Sequence, residues 1–195
     1  MVRFFAYLSR MRLIRRWGLM RNTQPENDLE HAAQAAMIAH GLALHAQTRY
    51  GRAIDPEHIL ALALYHDAAE VITGDLPTPI KHHNPAIKQA MRSMEALAVS
   101  QLEEMLPEDQ RPLYHPYLAG DGDAYARQLV KAADRICAYV KCVAEQQAGN
   151  QEFTLAKRTI EASIRAIPLE EVQTFFDEIT PAFALSLDEL QDPES

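Results

Sequence analysis

The stretch HAAQAAMIAHGLALHAQ, residues 31–47, decides the fold class of this chain. It is rich in Ala, Leu and Met, it contains no Pro, and its apolar residues recur with the period of a helix. Asn27 and Glu30 stand just before it at the spacing of a helix-capping box, and Gly51 follows it as a helix stop. The sequence therefore predicts a long helix between Asn27 and Gly51.

The helical signal continues towards the C-terminus. Asp55-Pro56-Glu57 is typical of a helix start, because it offers an N-cap acid, a Pro at the first helical position and a second acid near the positive end of the helix dipole. We predict a buried helix from about His58 to Ile72 and a rigid, non-helical segment over Asp75–Pro79, which contains two prolines. The other predicted segments are a helix from Asn84-Pro85 to about Leu106, a polar, turn-rich stretch over 107–122, a helix from Tyr125 to Gln147, and two or three helices after Phe153 that are interrupted at Pro168 and Pro181.

Composition limits the possible classes of protein. The hydrophobic fraction of 48% and the charged fraction of 24% are ordinary for a soluble globular protein. No strand alternation or internal repeat stands out, so we predict an all-α fold in which residues 1–195 form a single domain. The net charge of −8 argues against a nucleic-acid polymer as partner and favours a small anionic ligand, which needs one or two cations and a metal at most.

The location of the protein is predicted from its apolar segments and its cysteines. No stretch is long enough to span a bilayer, and the first segment, with Phe4, Phe5 and Leu8 among basic residues, is typical of an amphipathic helix. Cys137 and Cys142 are five residues apart on a predicted helix and point in different directions, so we expect reduced thiols. Both observations favour a cytoplasmic protein.

Four residues in or at the start of predicted helices could bind a metal: His31, His66, Asp67 and Asp134. A divalent ion accepts mixed imidazole and carboxylate ligands, and two of each leave room for water and a phosphate oxygen. His66-Asp67 and Asp134 interrupt apolar helices, where burial of polar groups is costly without partners. A salt bridge to a helical neighbour is the alternative interpretation of Asp134.

Acidic and polar residues follow the His66-Asp67 pair. Glu70 lies one helical turn later, where we expect it to share a face with the pair and to orient or deprotonate a water; a solvated helix-end glutamate is the alternative. The segment from Asp75 to Thr78 places polar side chains at the mouth of such a site. Its alternative interpretation is a rigid turn that only links two helices.

The order His31 … His66-Asp67 … Asp134 matches the H…HD…D signature of the HD phosphohydrolase superfamily. Longer runs resemble the bacterial 5′-deoxynucleotidases of the YfbR type, and the resemblance covers nearly the whole chain. These runs are Arg16-Trp17, Leu19–Asn22, Glu26-Asn27, Glu30-His31, Tyr65–Ala68, Gly74–Pro79, Ala138-Tyr139, Lys141-Cys142 and Leu185–Glu189. The chain departs from the family at Leu29, where a small residue is expected, and over residues 119–123, and both departures bear on sugar or base contacts.

The resemblance implies an α-helical HD fold, usually a homodimer, that hydrolyses deoxyribonucleoside 5′-monophosphates with a divalent metal such as Co²⁺ or Mn²⁺. Position by position, it implies that His31, His66, Asp67 and Asp134 bind the metal and that His31 and Asp67 also border the substrate. It further implies that Glu70 assists the attacking water, that Arg16 holds the phosphate, and that Trp17 packs near the sugar and excludes a ribose 2′-OH. The nucleotide would be contacted by Asp75, Leu76, Pro77 and Thr78, with Asp75 as a candidate proton donor to the leaving oxygen.

Two alternatives stay open at this point. Another HD activity, on deoxynucleoside triphosphates or a signalling nucleotide, would need more cations than Arg16 and Lys81 supply. A non-catalytic helical module would use the four candidate ligands as a buried polar network and the N-terminal arginines as a docking face. That module predicts no bound metal and no loss of stability with a chelator.

Overall fold

Ten α-helices form the part of the chain that the structure, a computed structural model, describes: residues 1–77 and 84–192. They are α1 Phe4–Leu8, α2 Asp28–Tyr50, α3 Pro56–Tyr65, α4 Glu70–Thr73, α5 Pro85–Glu104, α6 Arg111–Leu118, α7 Ala124–Gln147, α8 Thr154–Arg165, α9 Glu170–Ile179 and α10 Leu187–Gln191. Over these residues no β-strand forms, and the only pairing of that kind is an isolated bridge between Arg15 and Asn27. The predicted all-α fold is confirmed.

The two longest helices, α2 and α7, carry the main hydrophobic core. Helix α2 begins where predicted, because the Asn27 side chain accepts hydrogen bonds from the amides of Leu29 and Glu30. It ends at Gly51, whose φ of 63° is the left-handed conformation that glycine adopts most easily. Helices α3, α8 and α9 pack around this pair, and the largest side chains that they bury together are Leu42, Ile59, Leu129, Ile136, Ile164 and Phe176.

The predicted helix from His58 to Ile72 is broken at the His-Asp pair. Helix α3 stops at Tyr65, residues 66–69 form turns, and α4 begins at Glu70. The turns are closed by bonds between residues three apart, from the amide of Ala68 to the carbonyl of Tyr65 and from the amide of Glu70 to the carbonyl of Asp67. Such turns are wound more tightly than an α-helix, so the side chains of His66 and Asp67 do not follow the spacing of a continuous helix.

The predicted turn-rich stretch over 107–122 is wrong over 111–118, where α6 forms. The two prolines in this segment led to the non-helical prediction. Pro112 stands in the first turn, where its missing N–H group would be unpaired in any case, while Pro116 lies inside the helix. Leu118 of α6 is buried in a second apolar cluster with Phe4, Ala68, Val99, Leu102 and Leu106, and this packing outweighs the weak helix propensity.

Two smaller predictions concern the cysteines and the membrane. Cys137 and Cys142 are both buried and unpaired, as expected, and burial raises the pKa of both thiols, which therefore stay protonated. None of the described helices combines the length and apolarity that a bilayer span needs.

Candidate metal centre and substrate pocket

Three side chains from distant parts of the chain converge on one point. His31 comes from α2, His66 from the turn after α3, and Asp134 from the middle of α7. One ligand atom of each lies within 4.8 Å of the others. His31 Nε2 is 3.1 Å and His66 Nε2 is 3.8 Å from Asp134 Oδ1. The structure thus brings together three of the four predicted ligands.

The second nitrogen of each imidazole fixes how the ring is oriented. His31 Nδ1 donates to Glu26 Oε1 at 3.1 Å, and His66 Nδ1 donates to the carbonyl oxygen of Ala63 at 2.7 Å. When Nδ1 carries the proton, the lone pair of Nε2 points into the cluster, which is the tautomer a metal requires. Among the described residues, the buried Nε2 of His66 has no hydrogen-bond partner. This donor set fits a divalent cation.

Asp67, the fourth predicted ligand, lies between this cluster and Arg16. Its Oδ2 is 3.1 Å from His66 Nε2 and accepts a hydrogen bond of 3.0 Å from Arg16 Nη1. Burial opposes its ionisation, but the positive charge of the neighbouring His66 holds the pKa of Asp67 below its usual range. Asp67 is therefore a carboxylate that touches both the candidate metal centre and the predicted phosphate-binding residue.

Arg16 is held by acidic groups on several sides. Besides Asp67, its guanidinium lies 3.7 Å from Asp28 Oδ1 and 3.9 Å from Glu26 Oε1. Burial opposes its charge, but Asp67, Asp134 and Glu26 together raise the pKa of Arg16 above its usual value. The structure thus places a permanent, pre-oriented positive charge beside the three converging ligands.

Glu70 lies in a second acidic group rather than among the three converging ligands. One carboxylate oxygen each of Asp28, Glu70 and Asp75 lie within 4.8 Å of one another. Asp28 is fully buried, and burial raises its pKa to about 6. Nothing in the sequence marks Asp28 as part of a site, because an acid in the first turn of a helix is normally explained by the helix dipole.

Trp17 is fixed by an unusual backbone and by Glu26. Its φ of 58° is left-handed, which is rare for a bulky residue and often marks a functional position. Its indole Nε1 donates to Glu26 Oε2 at 2.8 Å, and its ring lies 5.3 Å from that of Phe153. Glu26 belongs to one of the runs that resemble the YfbR type, but the sequence alone assigns it no role.

A cavity of about 90 Å³ opens beside these groups. His66, Asp67 and Glu70 line it together, as predicted, although through a turn rather than one helix face. Met91 and Glu95 of α5 line its other side and were missed, because nothing distinguishes them within an ordinary amphipathic helix. Leu76 and Pro77, two and three residues after the lining residue Gly74, are partly buried, while Thr78 and Lys81 lie outside the described residues.

An all-α fold that brings His31, His66-Asp67 and Asp134 together defines an HD-type phosphohydrolase. The family model described as 5′-deoxynucleotidase YfbR-like matches residues 3–183. The chain is 46% identical over 188 residues to the 5′-deoxynucleotidase VP0926 of Vibrio parahaemolyticus, covering 96% of this chain and 97% of that one. It is 47% identical over 190 residues to the 5′-deoxynucleotidase YfbR of Escherichia coli, covering 96% and 94%. The chain belongs to the YfbR-like 5′-deoxynucleotidase family, and it is a hydrolase.

Solved structures of low sequence identity share the fold. An HD-domain phosphohydrolase from Listeria innocua superposes with a TM-score of 0.79 at 21% identity, over 97% of this chain and 92% of that one. The HD phosphohydrolase DatZ of cyanophage S-2L, solved with dA and one catalytic Zn²⁺, gives a TM-score of 0.67 at 22% identity, over 91% and 95%. These similarities support the HD fold independently of the sequence matches.

Proposed function

We propose that this chain hydrolyses deoxyribonucleoside 5′-monophosphates to deoxynucleosides and phosphate with the help of a divalent metal ion. The observation that carries this proposal is the convergence of two imidazole Nε2 atoms and the Asp134 carboxylate beside the guanidinium of Arg16. A metal centre and a fixed cation both stabilise the charge that develops when a phosphate ester is hydrolysed. The activity named for the relatives from Vibrio parahaemolyticus and Escherichia coli points to the same reaction.

In this proposal His31, His66, Asp67 and Asp134 hold the ion. A divalent ion bound there acts as a Lewis acid towards the phosphoryl group and makes water a stronger nucleophile. His31 and Asp67 also border the substrate, since Asp67 touches Arg16 as well as His66. Arg16 binds the phosphate through the forked geometry of its guanidinium and neutralises charge that develops on it.

The acidic group moves protons in this proposal. Glu70 accepts a proton from the attacking water, and Asp75 returns one to the leaving 5′-oxygen. One carboxylate oxygen each of Asp28, Glu70 and Asp75 lie within 4.8 Å of one another, and burial raises the pKa of Asp28 to about 6. A proton shared within this group suits a site that needs one acceptor and one donor.

Trp17 is proposed to read the sugar, and Leu76, Pro77 and Thr78 are proposed to contact the nucleotide. The left-handed backbone and the hydrogen bond to Glu26 keep the indole in one position. A rigid ring near C2′ leaves no room for a ribose 2′-OH, so dAMP should be favoured over AMP.

Phosphate release from matched dAMP and AMP tests the proposal, with the purified protein given Co²⁺, Mn²⁺, Mg²⁺ or EDTA. We expect metal-dependent release from dAMP and little from AMP. Glu70→Gln should lose turnover while it still binds metal and nucleotide, and the exposed Glu57→Gln is its control. Equal release from both nucleotides would remove the role of Trp17, and release only from di- or triphosphates would replace the proposed substrate.

Several features expected from the sequence stay predictions. The ion is predicted to be Co²⁺ or Mn²⁺, the assembly a homodimer, the location cytoplasmic, and residues 1–195 a single domain. Comparison of metals in the phosphate-release assay tests the first, and light scattering of the purified protein tests the second.

A further inference from the structure

The carboxylate of Glu26 is hydrogen-bonded both to a candidate metal ligand and to Trp17. Glu26 Oε1 accepts from Nδ1 of His31, and Glu26 Oε2 accepts from the indole Nε1 of Trp17. The two bonds are 3.1 Å and 2.8 Å long. We infer that Glu26 is a positioning residue that couples occupancy of the metal centre to the placement of Trp17. This role rests on the proposed function, in which Trp17 is the sugar filter.

The backbone around Glu26 makes this coupling direct. The segment between Arg15 and Asn27 is closed at its base by the bridge between those two residues. Within it, the amide of Arg16 donates to the carbonyl of Glu26 at 3.1 Å. A displacement of Glu26 therefore moves the backbone next to Trp17 as well as the indole ring itself.

Glu26 provides the polar contact of the indole. Within residues 1–77 and 84–192, the other hydrogen bonds of Trp17 reach its main-chain oxygen, from the amide of Met20 at 2.9 Å and from Asn22 Nδ2 at 3.3 Å. The contact of the indole with the Phe153 ring is apolar. Because Trp17 holds a left-handed backbone, which is strained for this residue, its position depends on such contacts.

Occupancy of the metal centre acts on Glu26 through His31. A cation at Nε2 withdraws electron density from the imidazole, so Nδ1 becomes a stronger donor to Glu26 Oε1. A stronger pull on Oε1 changes the hydrogen bond that Oε2 makes with Trp17. By thermodynamic reciprocity, the indole must in turn affect the affinity of the metal centre.

The chain has a built-in reporter for this coupling, because Trp17 is its only tryptophan. The test titrates metal-free full-length protein with Zn²⁺, which does not itself quench fluorescence, and follows tryptophan emission and binding heat. In the wild-type chain we expect an emission change that saturates together with the binding heat. Glu26→Gln should bind Zn²⁺ about 10- to 100-fold more weakly and should lose the emission change at saturation.

Glu30→Gln is the matched control. It removes the same charge beside the same helix start, but its side chain is exposed, so both readouts should stay as in the wild type. Equal Zn²⁺ affinity and an equal emission change in Glu26→Gln and wild type would overturn the role of Glu26. Loss of the emission change in Glu30→Gln as well would also overturn the role of Glu26, because the effect would then follow from removing any negative charge near this helix start.

Trp17→Phe keeps the test decisive if Glu26→Gln fails to fold. It removes the indole N–H group but leaves the bond between Glu26 and His31. Reciprocity predicts that its Zn²⁺ affinity, measured by heat, shifts by about 5-fold or more, and an unchanged affinity would refute the coupling. Zn²⁺ binding with intact coupling but no turnover of dAMP would contradict only the proposed function, whereas no Zn²⁺ binding by the wild type would overturn both.

Discussion

Asp28→Asn should make the metal-free protein more stable at neutral pH. The Asp28 side chain is fully buried, and the nearest cation among the described residues, Nη1 of Arg16, is 3.7 Å away, beyond hydrogen-bond distance. Burial raises its pKa from 3.8 to about 6, so the ionised form opposes folding. Asparagine has nearly the same shape and stays neutral at every pH, so the variant escapes this penalty.

The sign and size follow from proton linkage. Between about pH 4 and pH 6 the native state binds a proton that the unfolded chain has released, so the wild type loses stability as pH rises through this range. A shift from 3.8 to about 6 corresponds to about 3 kcal/mol, at about 1.4 kcal/mol per pH unit. Above about pH 7, one unit beyond the folded-state pKa, the loss is complete and constant. The free energy of unfolding of Asp28→Asn minus that of the wild type should therefore be up to about 3 kcal/mol larger at pH 8 than at pH 4.

Urea unfolding in EDTA, from pH 4 to pH 8, measures this difference. Titrating groups that do not interact with Asp28 are common to both proteins and cancel when the two free energies of unfolding are subtracted. Asp55→Asn is the control, and the pH dependence of its stability difference from the wild type should have the opposite sign. Hydrogen bonds at the N-cap, first from the His58 amide, lower the pKa of Asp55. A difference between Asp28→Asn and wild type that does not vary with pH would refute the reasoning.

Three further changes test the packing that positions the site. Glu145→Gln should lower the free energy of unfolding in urea by about 3 kcal/mol, because it leaves the buried ammonium of Lys141 without its carboxylate. Glu152→Gln, on the exposed surface, should cost far less, and equal losses in the two variants would contradict this explanation. Phe176→Ala should cost about 3–5 kcal/mol by the same assay, since the ring is 1% exposed in the main core; a loss below about 1 kcal/mol would mean that the core readjusts fully. Gly51→Ala should lower the free energy of unfolding by about 1 kcal/mol, because the φ of 63° at this position is unfavourable for alanine. The added Cβ would meet open space, so backbone strain is the expected cause, and an unchanged Tm would contradict it.

The candidate ligands could be predicted from the sequence because each of them stands out from its immediate neighbours along the chain. His66-Asp67 interrupts an apolar run, and Asp134 interrupts another, so the sequence alone indicates that these polar groups need partners. The order of these residues along the chain then matches a known signature. The structure confirms that His31, His66 and Asp134 meet.

Asp28 and Glu30 show what the sequence could not provide. Both are acids in the first turn of α2, where either could serve the helix dipole. One is fully buried beside Arg16 and the other is exposed. Which of them is buried depends on where Arg16 packs against α2, and that is a tertiary contact that no local pattern encodes.

The break after Tyr65 has the same origin. Residues 58–72 have a continuous helical pattern, but His66 must reach Asp134 and Asp67 must reach Arg16. Those contacts outweigh the local preference and tighten the turn. Similarly, Glu26 stands in a short segment without periodicity, so its two hydrogen bonds could be found only from the structure.

His31 and Asp134 are 103 positions apart along the chain, and α7, which carries Asp134, extends to Gln147. A nascent chain therefore has no complete centre until most of its length has left the ribosome. Any fragment that stops before α7 lacks both the third candidate ligand and the core that holds the first two. A cation bound between these helices would tie early and late parts of the chain together, so it would resist unfolding of the whole molecule rather than of one segment.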